Sequence, residues 1–125
     1  MTIIYRIQDK DGRGPWKPGF SGRWVEYRDD HQLLQPWYIE FPDLKFEKGW
    51  RYGCGCETRE QLRRWITSGE YTTLRILGYR SVMIDACEIV SSSEIQCVFR
   101  KREKFNIGAT EFDLYWELHH AEHMA

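Results

Sequence analysis

Residues 9–48 constrain this 125-residue chain more than any other stretch. Gly12, Gly14, Gly19 and Gly22 alternate with Pro15 and Pro18, and Pro36 and Pro42 follow. Proline lacks the amide donor and clashes with the preceding helical turn, so no continuous helix runs through 24–48. The glycine-rich part, 9–23, reads as a long irregular loop, a kind of segment that often carries binding. Within 24–48 a short helix or turn is expected near 28–35 and extended pieces around 37–41. Six Trp, seven Tyr and six Phe supply the large side chains that one compact core needs despite that loop. The length fits a single domain.

Regular structure is expected on either side of this region. Ile3–Gln8 is rich in β-branched and aromatic residues and reads as a strand closed by the Asp9–Gly12 turn. Trp50–Cys56 reads as a short strand with two interior glycines, which points to close approach of another backbone or of a ligand. Thr58 to Gln61 fits a capping box, with Leu62, Trp65 and Ile66 as the buried stripe of the helix it starts. Thr67-Ser68-Gly69 reads as its stop, and a second short helix covers roughly 70–77 up to Gly78. Residues 79–90 form a strand with Val82, Ile84 and Ala86 on one face. Ser91–Ser93 turns it into a partner strand at 94–101, where Ile95, Cys97 and Phe99 alternate with Gln96 and Val98. Thr110-x-x-Asp113, with Phe112, Tyr115 and Trp116, predicts a C-terminal helix to about residue 120. The order of elements is α+β.

Eighteen Lys and Arg against 19 Asp and Glu leave a net charge of −1. That balance offers no bulk attraction for nucleic acid, so direct nucleic-acid binding is not expected. Arg100–Lys104 is a local basic run that reads as a solvated face. No apolar run spans a bilayer, and the first residues lack the apolar stretch of a secretory leader, so a cytoplasmic protein without membrane attachment is expected. Cys54, Cys56, Cys87 and Cys97 then read as reduced, buried thiols. Zinc bound by cysteines with His119 and His123 is the sharper alternative, but the C-x-C spacing is short for it, and no metal is expected.

Tyr52-Gly-Cys-Gly-Cys-Glu-Thr-Arg-Glu-Gln-Leu-Arg-Arg-Trp-Ile (52–66), Leu74-x-x-Leu77-Gly78-Tyr79, the strand ending at Ile89 and Ser93-x-x-Gln96-Cys97-Val98-Phe99 follow Tyr5-Arg6 and Gly12-Arg13-Gly14-Pro15 in order. Together they resemble small bacterial and phage proteins with an ADP-ribosyltransferase-like fold, over about residues 3–101. The resemblance implies a small split antiparallel β core with flanking helices, occupying residues 1–104, and leaves 105–125 as a helical extension. It implies NAD as cofactor and transfer of ADP-ribose to an unknown macromolecular acceptor. Arg6, beside Tyr5 on the first strand, would anchor phosphate or ribose, which suits a guanidinium fork. Tyr52 would pack near nicotinamide, and Cys54, Cys56 or Thr58 would stand where the family places a ribose-positioning Ser or Thr. Thr58 has a competing local role as a helix cap. The catalytic glutamate position falls on Gln96, with Glu94 two residues earlier. Gln can bond a ribose but brings no charge to an oxocarbenium-like transition state.

Three other classes stay open. A Cys/His hydrolase would pair Cys54 or Cys56 with His31, with the helix start lowering the Cys56 pKa. A non-enzymatic phage protein acting on a host target by surface contact would present Trp16, Trp24, Trp37 and Tyr38. Nucleic-acid binding through Arg100–Lys104 beside the hairpin is the third, and the near-neutral net charge counts against it. Within any of these, the Gly12–Pro15 loop with Lys17 would cradle a phosphate through its amides, or Trp16, Phe20 and Trp24 would fold back onto the core.

Overall fold

The computed structural model describes residues 2–16, 19–26, 37–86 and 88–117. Among the described residues the chain is α+β, with two three-stranded antiparallel sheets. β1 (Thr2–Gln8), β3 (Arg80–Ala86) and β6 (Ala109–Glu111) form the first in the order β1-β3-β6. β2 (Arg51–Gly55), β5 (Cys97–Lys101) and β4 (Glu88–Ser92) form the second in the order β2-β5-β4. The sheets are joined where Tyr5 and Cys56 exchange backbone hydrogen bonds, both at 2.8 Å.

Strand alternation assigns the two faces of β1 to two cores. Ile4 meets Val82, Ile84, Cys97 and Phe99 between the sheets. Ile7 meets Leu62, Trp65, Tyr71 and Leu74 from two helices, α2 (Arg59–Trp65) and α3 (Ser68–Ile76). Trp24 and Leu114 complete that second core, with Trp16 and Phe20 packed against it. The loop's aromatics therefore fold back onto the body, and Trp24 donates its indole N–H to the Pro15 carbonyl.

Thr58 caps α2 as its sequence predicts: Thr58 Oγ1 accepts from Gln61 N at 3.1 Å, and Gln61 Oε1 accepts from Glu57 N at 2.9 Å. α3 starts at Ser68 rather than 70, because Thr67 is an N-cap and not part of a stop. Its hydroxyl accepts from Glu70 N while Glu70 Oε1 accepts from Thr67 N, a complete capping box.

Three expectations are corrected. The strand expected over 79–90 is two strands, and only its second half joins the hairpin. β3 is hydrogen-bonded on both sides, by β1 and β6, so β5 pairs with β4 instead. The hairpin turn accordingly covers Ser93–Gln96, with Ser93 N donating to Gln96 O. The segment at 37–41 is not extended: Trp37–Glu40 is a single helical turn, α1, closed by Phe41 N on Trp37 O. Phe41 precedes Pro42, which disfavours further helix. Thr110 does not cap a helix. It lies opposite Met83 in β6, where the open edge of β3 supplies backbone partners that outweigh the local capping signal. Asp113 instead accepts from Tyr115 N in a local turn, and helical backbone is reached only at Trp116. The helix or turn expected near 28–35, and the helix beyond 117, lie outside the described residues.

Candidate functional site

The glycines of β2 decide how the site is built. Gly53 and Gly55 share one face of the strand, turned toward β1. A Cβ on Gly55 would stand 2.5 Å from Ile4 Cγ2, and one on Gly53 2.6 Å from Phe105 Cε2 and 2.7 Å from Arg6 Nη1. What approaches closely is therefore the protein itself: β1 lies over the bare strand, and Phe105 and Arg6 fill the space above Gly53.

Arg6 is 8% exposed, inside the protein rather than on a cleft wall. Nη1 donates to Cys54 O and Nη2 to Gly12 O, both at 3.3 Å, while Nε is buried without a hydrogen-bond partner. The guanidinium lies over the Phe105 ring at 5.0 Å and near the Phe99 ring at 5.7 Å. No carboxylate among the described residues pairs with it. Burial lowers its pKa, since removal from water disfavours the charged form. The cavity that Arg6 lines with Gly14, Trp16, Cys54 and Trp65 measures about 30 Å³, room for a water and not for a nucleotide.

Two further polar groups are buried nearby. Gln8 donates to Phe105 O at 2.9 Å and its Oε1 is buried without a partner. Lys101, 7% exposed, donates to Ile107 O at 2.9 Å. In sequence the 100–104 run reads as a solvated face, and two of its members depart from that. Alternation of β5 turns Lys101 inward, and Arg100 is held by Glu88 and Glu47 and lies 4.3 Å over the Trp50 ring. Arg102 and Lys104 are exposed as expected.

The open cleft of this region lies in front of Phe105. About 640 Å³ is lined by Asp11, Gly12, Arg13, Arg51, Tyr52, Lys104, Phe105 and Asn106, a volume typical of small-molecule sites. Asp9 Oδ1 accepts from Asp11 N and Arg13 N, which fixes the loop at its edge. Gly12 holds φ +85°, and its close packing on Phe105 and Asn106 leaves no room for a side chain. Arg13, Arg51 and Lys104 make no ion pair with any described residue. Arg6 sits behind the floor, touching both Gly12 and Phe105.

The residues singled out in the sequence are not gathered in one place. Tyr52 lines this cleft, its hydroxyl accepting from Glu47 N. Tyr5 packs edge-on against Phe112 in the helix-side core. Gln96 is 1% exposed and donates to Glu40 Oε2 at 2.7 Å. The Glu94 side chain is exposed, while its carbonyl accepts from Gln61 Nε2. Neither Gln96 nor Glu94 lines the Arg6 cavity or the open cleft. Arg51 and Phe105 line the cleft without a sequence signal of their own, and Arg13 and Lys104 stand in the sequence only as members of a loop motif and a basic run. Gly12-Arg13 was visible as a loop motif, but the meeting of three loops is not written in spacing.

The three described thiols are held in their protonated, weakly nucleophilic form. Burial pushes the Cys54 and Cys56 pKa values up, and Cys97 up to about 12, the reverse of the lowered Cys56 expected at a helix start. His31, His119, His123, Lys17 and Cys87 lie outside the described residues. Among the described residues no cluster of three or more metal-ligating side chains occurs, and no helix is long and apolar enough to cross a membrane. Raised thiol pKa values make stability full below the unfolded thiol value of about 8.5 and lost as pH climbs toward the folded values. We expect iodoacetamide at pH 8 to leave Cys54, Cys56 and Cys97 unmodified in native protein and to label all three in denaturant, read by peptide mass spectrometry.

No curated protein and no solved structure matches the chain. A family model described as the bacteriophage T4 Y00F protein matches residues 1–113, which takes in both sheets, both longer helices and the whole open cleft. The chain belongs to the bacteriophage T4 Y00F protein family.

Proposed function

We propose that the chain binds an anionic ligand of the nucleotide pyrophosphate class, with NAD or ADP-ribose as its reference member, in the cleft before Phe105. The observation that carries this reading is the convergence of Arg13, Arg51 and Lys104, none with a carboxylate partner among the described residues, on one open cavity. Arg6 and Lys101, buried behind it without an ion pair among the described residues, add positive potential in a low-dielectric setting, which Asp9 partly offsets at Arg6. Tyr52 and Phe105 offer aromatic surface for a base or nicotinamide ring. The ADP-ribosyltransferase resemblance narrows the anion to NAD.

The proposal is for binding. ADP-ribosyl transfer would need a carboxylate beside the reacting ribose, and Gln96 is engaged with Glu40 while Glu94 does not line the cleft. Arg6 then acts as a positioning residue, holding the Gly12 carbonyl and the Phe105 ring rather than grasping phosphate.

Thermal denaturation with about 5 mM NAD or ADP-ribose tests the reading. A ligand at about 100 times its Kd adds roughly 2.7 kcal/mol of stability, so a rise of several degrees is expected. Arg51→Glu/Lys104→Glu, both exposed positions, should fold normally and lose the shift. No shift with either ligand would remove this function.

A further inference from the structure

We infer that the basic cleft is one end of a longer groove for single-stranded nucleic acid, its bases resting on an aromatic row that leads away from Tyr52. The inference rests on the anion-binding reading of the cleft and extends it from a mononucleotide ligand to a strand.

Tyr52 belongs to both features. It lines the cleft, and its ring meets Phe46 edge-on at 4.7 Å. Phe46 meets Trp37 at 5.2 Å, and Trp37 meets Tyr38 at 5.8 Å, again edge-on. Phe46 and Tyr38 are 53% and 61% exposed. Such residues ordinarily enter a core. Here the short α1 and the Phe41–Trp50 connection hold them outward over the second sheet. Every base has a π face, so a row of exposed rings takes successive bases with little regard to sequence.

Charge selects a nucleic acid over an apolar occupant. Arg13, Arg51 and Lys104 stand at one end, and Arg102, which lies 4.0 Å over Trp50, has no ion pair among the described residues. Of the carboxylates near the row, Glu47 and Glu88 are taken by Arg100 and Glu40 accepts from Gln96, while Asp11 stands alone on the cleft wall against Arg13, Arg51 and Lys104. The near-neutral net charge of the chain therefore hides a local excess of free cations where the rings are. A duplex would not fit this use, because its base faces are stacked on one another.

The test is fluorescence anisotropy with a labelled ten-residue oligothymidylate. Submillimolar binding is expected, with a salt slope of about −2 to −3 for three or four phosphate contacts, and the matching duplex should bind at least about tenfold more weakly. Tyr38→Ala/Phe46→Ala changes exposed positions and should weaken the oligonucleotide by about tenfold or more while leaving the NAD-induced thermal shift intact. Arg51→Glu/Lys104→Glu should abolish both. An NAD shift without oligonucleotide binding overturns the inference and leaves the pyrophosphate reading standing. Oligonucleotide binding that needs Tyr38 and Phe46, without any NAD shift, supports the strand and removes the pyrophosphate ligand. Binding that ignores the aromatic variant, and that poly-glutamate of equal charge displaces equally well, overturns the inference and assigns the aromatic row to a protein partner.

Discussion

Gly55→Ala is expected to destabilise the protein by about 3 kcal/mol, at the upper end of what overpacking one methyl usually costs, and to lower Tm by about 10 °C in a domain of this size. The added Cβ would lie 2.5 Å from Ile4 Cγ2 and 3.2 Å from the Tyr5 carbonyl oxygen. Neither neighbour can move freely. Ile4 is wholly buried between the sheets, and Tyr5 O accepts the Cys56 amide in the bridge that joins them. Relief would require the sheets to separate along their shared line. Gly53→Ala makes the instructive comparison. Its Cβ meets side chains, Phe105 and Arg6, that can swing aside. That variant should fold with a smaller loss and fail in ligand binding, because the floor of the cleft moves. Gly22→Ala, where nothing lies within 4 Å, should be silent in both assays. A thermal melt of the three variants checks this order, and a Gly55→Ala protein as stable as Gly22→Ala would refute the packing of β1 on β2.

The contrast between these glycines shows what could be read in advance. Alternating Gly53 and Gly55 in a strand pattern announces that something comes close, and the chain does not say what. The answer depends on β1, some fifty residues away. Local signals were legible where local chemistry decides: the Thr58 cap, the first strand, the hairpin rising to Phe99. They misled where a long-range partner outweighed them. Thr110 has the spacing of an N-cap, yet the edge of β3 takes Ala109–Glu111 as a strand. The continuous alternation of 79–90 hides a change of sheet, because both of its halves need the same apolar pattern.

The site was legible in part for the same reason. Arg6 stands out in the sequence as a charge among β-branched residues, and alternation places it with Ile4 and Gln8 on one face. Whether that face meets water or a second sheet is a tertiary fact. The structure puts it inside, so the arginine that looked like a ligand contact supports the cleft from behind. Lys101 follows the same logic within an apparently solvated basic run. Arg13, Arg51 and Lys104 come from three separate segments, and each alone is an unremarkable surface cation.

Replacing Arg6 by methionine separates these roles of a buried charge. A guanidinium held by two carbonyls at 3.3 Å, with Nε unpartnered and Asp9 acting on it only through space, is poorly compensated for leaving water. Exchange of buried ions for apolar residues of similar length is often neutral or stabilising, so Arg6→Met should melt within a few degrees of the parent. Its ligand affinity should fall far more. The guanidinium lies 5.0 Å from the Phe105 ring centre, so a phosphate at the cleft edge of that ring stands about 8 Å from the charge, worth about 2 kcal/mol at an effective dielectric of 20, or roughly thirtyfold in Kd. Salt supplies the discriminating control. Added salt screens Arg13, Arg51 and Lys104 at the rim, while a charge beneath the floor is shielded from mobile ions. The Arg6→Met deficit in NAD affinity, measured by titration calorimetry, should therefore persist at about 0.5 M salt, where the effect of Arg51→Glu shrinks. An Arg6→Met protein that binds NAD as tightly as the parent, at either salt concentration, would show that the buried cation serves the fold alone.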